Sequence, residues 1–235
     1  MVKSELIKRS PLRILEKSIQ GGLGKGNIAV IASRKGVGKT ACLVHIATDK
    51  LFNDSFVIHV SFSRRTDHII SWYEDIFNEI SKKRELEDAL SIHDEIIKKR
   101  VIMNFNSLTV DIPQILKSLE AMIVNGNFKA DAVIVDGLEI AQMNNENLKK
   151  LKDFSVKLGL EMWISASLKK EDAVYDDEGF PYELKDLVDS IDVLITLRYD
   201  DQNIRMDILK EHESETSPES HLILDPKTLL IVQKE

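Results

Sequence analysis

Gly36, Gly38, Lys39 and Thr40 stand within one short stretch of this 235-residue chain. Those residue types at that spacing do one kind of chemistry: they hold phosphate. Glycines let the backbone curl until several N–H groups point at one anion. A helix that starts there adds the positive end of its dipole. Lys39 supplies a cation for the outer phosphates, and the Thr40 hydroxyl is a ligand for Mg²⁺. The pattern G-x-x-x-x-G-K-[ST] is matched at Gly38, Lys39 and Thr40, with Ser33 in the place of the first glycine. The candidate nucleotide-binding residues are Ser33, Arg34, Lys35, Gly36, Val37, Gly38, Lys39, Thr40 and Ala41. The bland alternative is a glycine turn before a buried helix.

A second candidate lies about a hundred residues on. Ala130-Asp-Ala-Val-Ile-Val-Asp136 is an apolar run that ends in a carboxylate. On a central parallel strand, Asp136 would lie beside the loop and hold the water shell of Mg²⁺ opposite Thr40. Lys39 and Asp136 are therefore the two candidate catalytic residues, and Thr40 and Asp136 the candidate metal site. The single cysteine, Cys42, lies in the helix after the loop, where a buried small hydrophobe is expected rather than a nucleophile.

The elements that must position these groups follow from periodicity. Asn27–Ala32 is a short apolar run leading into the loop, and Ala41–Ala47 leads out of it as a helix. Strand, glycine loop and helix form the context that a phosphate loop requires. Further strands are expected over 56–63, 101–105, 130–136, 161–167, 192–198 and 203–210, with a final hairpin from 221 to 232 turned at Pro226. Helices are expected after Ser10-Pro11, along Ile69–Ile80, from Leu86 to Ile97, from Ile112 to Ile123, from Leu148 to Leu158, and near Leu184–Val188. Trp72 and Tyr73 fall on the helix from Ile69, where core packing is the expectation. Alternating strands and helices predict an α/β domain spanning 1–235, with a mostly parallel central sheet and antiparallel strands at the C-terminus.

Gly21-Gly-Leu-Gly-Lys-Gly26, then an apolar strand, then Gly36-x-Gly38-Lys39-Thr40 resembles the opening of the RecA/KaiC-like P-loop ATPases, and of the replicative helicases of the DnaB type. The resemblance implies a RecA-like core, ATP with Mg²⁺, and a homo-oligomeric ring or filament with sites between subunits. It also implies a polar residue that senses the γ-phosphate at the end of the strand after Asp136, a place that Ser165 or Ser167 would fill. Arg34-Lys-Gly-Val-Gly-Lys-Thr40 is superficially similar to partition-type ATPases of the ParA/MinD kind. The Gly-Gly turn and the antiparallel ending favour the RecA-like likeness.

Two positions depart from that family. Ser63 stands where a glutamate commonly activates the attacking water, and serine is a poor base at neutral pH. Asp67 is the nearest substitute. Lys210-Glu-His212 stands where Lys-x-Arg commonly reaches a neighbour's γ-phosphate. Lys210 matches and would act in trans, while His212 replaces the arginine and is only partly charged at neutral pH.

Composition narrows the rest. The formal charge is −7, which disfavours a broad nucleic-acid surface. The loop from Leu168 to Pro181 is mainly acidic, and carboxylates would repel phosphates in a channel. There is no membrane-length apolar run and no secretory h-region, and one cysteine fits a reducing compartment, so a cytoplasmic protein is expected. The expected function is ATP/Mg²⁺ binding with slow or partner-dependent hydrolysis, occupancy controlling assembly or a protein partner. The alternatives are a nucleotide-binding module without hydrolysis and a DNA-dependent ATPase.

Overall fold

β1 (Ile28–Arg34) is the axis of the molecule. Its first six residues are buried, and it is flanked on both sides by parallel strands. A strand covered on both faces has no polar positions to alternate, which is why its sequence reads as a continuous apolar run. Its side chains still divide by parity. Ala29 and Ile31 join the core on one face of the sheet, and Ile28, Val30 and Ala32 join the core on the other. The computed structural model describes residues 3–62, 65–106, 109–139, 142–168, 175–176, 180–200, 202–212, 214–215 and 222–233.

Among these residues the remaining strands are β2 (Val57–Ser61), β3 (Arg100–Asn104), β4 (Ala132–Asp136), β5 (Glu161–Leu168), β6 (Val193–Asp200), β7 (Asn203–Glu211), β8 (Ser214–Glu215), β9 (Leu222–Leu224) and β10 (Ile231–Gln233). The sheet runs β3-β2-β4-β5-β1-β6-β7-β9-β10, with β8 paired to β7. From β3 through β6 the pairings are parallel; β7, β9 and β10 add antiparallel pairs. The chain is therefore α/β with a mostly parallel sheet and an antiparallel C-terminal extension, as the alternation of strands and helices predicts.

The helices sort by the direction of travel. α3 (Lys39–Phe52), α4 (Thr66–Lys83) and α5 (Ala89–Ile97) connect the strands that run outward from β1 to β3, and pack on one face with α1 (Lys3–Lys8) and α2 (Leu12–Ser18). α6 (Ile112–Glu120), α7 (Asn145–Leu158) and a 3₁₀ run, Tyr182–Ser190, return the chain to β6 across the other face. Consistent right-handed crossovers force this segregation. It leaves a crevice at the carboxyl ends of the strands, where ligands of open α/β sheets sit.

Local chemistry fixes the ends of the return helices. Asp111 caps α6 by accepting the Gln114 N–H at 2.9 Å, with Pro113 tolerated in the first turn. Asn144 caps α7 in the same way, and Gly159 closes it in the left-handed region. The apolar stripe that predicts a helix through Ile123 continues past α6 as a π-helical turn, Ala121–Asn125. The Gly126 N–H closes that turn on the Ala121 carbonyl at 2.9 Å. α1 is absent from the sequence expectation because its one buried side chain, Leu6, leaves no period to read. No described helix is long and apolar enough to cross a membrane.

Candidate functional site

The carboxyl end of β1 breaks into the loop Lys35–Gly38, and α3 begins at Lys39. Gly36 and Gly38 have φ of 85° and 120°, a region that side-chain-bearing residues avoid. At Gly38 space is limiting as well. A Cβ there would overlap the end of the Leu224 side chain of β9, which would have to shift to admit it.

Lys39 folds back over the loop. Its ammonium donates to the carbonyls of Ser33 at 3.0 Å and Arg34 at 2.8 Å, and to Ser33 Oγ at 3.3 Å. Ser33 is buried beneath the loop, which accounts for a small polar residue there. Burial pulls the Lys39 pKa down to about 8, with Asp136 opposing the shift. A cation held on two carbonyls and partly desolvated gains strongly from an arriving anion.

β4 brings Asp136 to the same place from a position 96 residues away. Thr40 Oγ1 donates to Asp136 Oδ2 at 2.8 Å. Ser165, at the carboxyl half of β5, donates to Asp136 Oδ1 at 2.8 Å, and its hydroxyl accepts the Gly137 N–H at 2.8 Å. Both oxygens of the carboxylate are thus occupied and oriented. Adjacent parallel strands β1, β5, β4 and β2 end at this level, with Ser61 of β2 in register with Asp136.

These groups border an open cleft of about 710 Å³. Lys35 through Ala41 form its floor, and Asp136, Ser165 and Ser167 one wall. α4 contributes His68, Ile69 and Trp72, while Tyr199, Ile204, Pro226 and Leu229 form an apolar side. The pattern is a polar, cationic floor with an apolar flank, which suits a ligand with phosphates at one end and a flat apolar body at the other.

The sequence candidates divide. Lys35, Gly36, Val37, Gly38, Lys39, Thr40, Ala41, Asp136, Ser165 and Ser167 meet at the cleft. Arg34 is exposed and contributes its carbonyl to Lys39 without lining the cleft. Asp67 is exposed and does not line the cleft; Arg65 Nε donates to it at 3.1 Å, and that bond holds its pKa below the ordinary value. Tyr73 is core, as expected, and bonds His59 at 3.1 Å, while Trp72 borders the cleft. Ser63, and the 168–181 loop except Leu168, Tyr175, Asp176, Phe180 and Pro181, lie outside the described residues.

Lys210 and His212 stand at the opposite end of the sheet. β7 is antiparallel to β6, so Asn203 pairs with Asp200 near the cleft, and Lys210 pairs with Leu194 at the amino end. The Lys210 ammonium donates to the Val188 carbonyl at 2.7 Å, and His212 Nε2 lies 3.2 Å from the Gly22 carbonyl oxygen. The structure does not bring either to this chain's own cleft.

Sequence reasoning missed Glu139, His68 and the apolar flank. Glu139 is three residues beyond Asp136 on the β4 exit. That proximity was the available signal for it, while the flank arises from strands paired across the whole chain. A scan against protein-family models finds no match, and a search of curated protein sequences finds no relative.

Proposed function

We propose that this chain binds ATP with Mg²⁺ in the cleft above Lys39 and Thr40, hydrolyses it slowly or under a partner's control, and uses nucleotide occupancy to govern assembly or a protein partner. The fold in this proposal is a P-loop, RecA-like one. The observation that carries the reading is the Thr40–Asp136 hydrogen bond. It joins the loop hydroxyl to the strand-end carboxylate, the pair that a phosphate-bound Mg²⁺ requires, from two distant parts of the sequence.

The donor set fits the ligand. The loop backbone and the Lys39 ammonium would hold the phosphates. Among the described residues no three His, Cys, Asp or Glu side chains cluster as a metal cage. Mg²⁺ would then take Thr40 and Asp136 with phosphate oxygens and water, its usual company beside phosphates. The ion would supply charge neutralisation at the transferring phosphoryl group. Ser165 would keep the Asp136 carboxylate turned toward Thr40, and the apolar flank would exclude water from the base and sugar.

The test is ATP titration with and without Mg²⁺ on the wild type and on Lys39→Ala, with turnover and particle mass followed on the same samples. Binding that requires Lys39 and a change in mass with occupancy are the expected results. Equal binding by the wild type and Lys39→Ala would sink the reading. A second reading, a module that holds nucleotide without consuming it, is favoured by the position of Asp67 off the cleft. The DNA-dependent ATPase reading would require salt-sensitive binding of single-stranded DNA that ATP enhances.

A further inference from the structure

Hydrolysis in this cleft needs a base, and the candidates can be sorted by what each already does. Among the described residues, two acidic side chains line the cleft, Asp136 and Glu139. Asp136 is committed: one oxygen accepts from Thr40 and the other from Ser165. His68 also lines the cleft, but its Nε2 accepts the Trp72 indole N–H at 3.3 Å. Indole N–H can only donate, so that lone pair is already engaged. The serine hydroxyls at the cleft cannot take a proton at neutral pH. Asp67 is outside the cleft and tied to Arg65.

Glu139 differs from all of these. Its side chain is exposed at the cleft wall and makes no hydrogen bond or ion pair among the described residues. Its backbone, by contrast, is held. The preceding Leu138 is buried in the core, and the Glu139 carbonyl accepts the Gln142 N–H at 2.8 Å. Gln142 is itself anchored, its side-chain amide on the Val110 carbonyl at 3.2 Å and its own carbonyl on Asn147 Nδ2 at 2.8 Å. An uncommitted carboxylate on a pinned backbone, lining the same cleft three residues past the aspartate proposed to place the metal, is what a general base requires.

We infer that Glu139 is the catalytic base of this site, taking the proton of the water that attacks the terminal phosphate of a bound nucleoside triphosphate. This rests on the nucleotide reading above. In the step, the water oxygen gives its electron pair to the γ-phosphorus. The bond from that phosphorus to the β–γ bridging oxygen breaks, and its electron pair leaves on the nucleoside diphosphate. The water proton passes to the Glu139 carboxylate and from there to solvent. The base thus comes from the exit of β4 rather than from the region after β2, where Ser63 and Asp67 lie.

The test is single-turnover hydrolysis of Mg·ATP by wild-type protein in excess, followed for hours, against Glu139→Gln, Glu139→Asp and Asp67→Asn. Affinity is measured by titration and folding by thermal unfolding. The expected result is that Glu139→Gln binds ATP as the wild type does, unfolds at the same temperature, and hydrolyses at least about 10²-fold more slowly. Protein recovered from the mixture should then carry ATP where the wild type carries diphosphate. Glu139→Asp should fall between the two. Unchanged hydrolysis by Glu139→Gln overturns the inference, as does a loss confined to Asp67→Asn. Wild type that binds ATP and returns all of it intact also overturns it, while leaving the binding reading standing. Wild type that binds no ATP removes the nucleotide reading and this inference together.

Discussion

The two ends of the parallel sheet are both rich in charge and do opposite things with it. At the amino end the charges close on one another. The Lys152 ammonium of α7 reaches both Asp192 oxygens and Asn27 Oδ1, each at 2.7 Å, and Asp192 Oδ2 accepts the Ile28 N–H at 2.7 Å. One lysine thereby fastens a helix to the starts of β1 and β6. Lys50 pairs with Glu161 nearby, and Lys210 ends on a backbone carbonyl. At the carboxyl end the groups gather around an open cleft. Lys39 rests on carbonyls instead of a carboxylate, and the Glu139 side chain makes no hydrogen bond or ion pair among the described residues. Charges satisfied within the protein maintain the fold; charges left incompletely satisfied around a cavity are available to a ligand.

The comparison is most easily broken at Gly38. Gly38→Ala puts a methyl group against Leu224 at a positive φ. It should destabilise the protein by about 1–3 kcal/mol in denaturant melts, chiefly through the strained φ, and abolish triphosphate binding. Adding Leu224→Ala relieves the contact but not the φ. Any recovery in the double variant should therefore appear in loop-dependent binding, with stability still below wild type.

A smaller effect separates the two ends directly. Lys152→Ala should lower stability by about 1–3 kcal/mol, through loss of hydrogen bonds to a charged group, and leave triphosphate affinity unaltered. Lys39→Met should do the reverse. Triphosphate affinity should fall about 10- to 100-fold as one or two charge-assisted bonds are lost, with little change in melting temperature. Equal effects of the two substitutions on binding, read by calorimetry, would erase the distinction between the ends.

The smallest expected effect is a pH dependence. The Lys39 pKa in the free protein is lowered to about 8 from the ordinary 10.5. A bound phosphate favours the ammonium and raises that value again. Below about pH 8 the lysine is charged before and after binding, and affinity is flat. As pH rises through about 8 the free protein loses a proton that the complex keeps. Binding then takes up a proton, and affinity falls by at most tenfold per pH unit. Lys39→Met should abolish the slope, and proton uptake measured in two buffers of different ionisation heat would report it.

Local chemistry was enough to read the loop, its strand and its helix. Gly36 and Gly38 need positive φ, and Lys39 and Thr40 follow at the spacing that faces an anion. A short-range rule of this kind survives folding. Asp136 was legible for a similar reason, since an apolar run ending in a carboxylate marks the carboxyl end of a buried strand. The antiparallel ending was visible in the alternation of Asn203–Lys210 and in Pro226 between two apolar runs.

What lay beyond the sequence was set by pairing at long range. Placing Lys210 required knowing that β7 runs against β6, which carries Lys210 to the end of the sheet away from the loop. Asp67 sits only four residues from Ser63 in sequence, yet α4 turns His68, Ile69 and Trp72 to the cleft and leaves Asp67 with Arg65. The Leu224 side chain lies where a Cβ on Gly38 would stand, a neighbour from far along the chain that no local pattern encodes. Glu139 has the weakest local signature of all, and its place on the cleft wall depends on how Leu138 and Gln142 anchor the β4 exit. Residue type and spacing specify which groups are able to bind phosphate, because backbone sterics and side-chain charge act over a few residues. Which carboxylates then border the cleft depends on strand direction, strand order and packing, whose energies come from contacts far apart in the sequence.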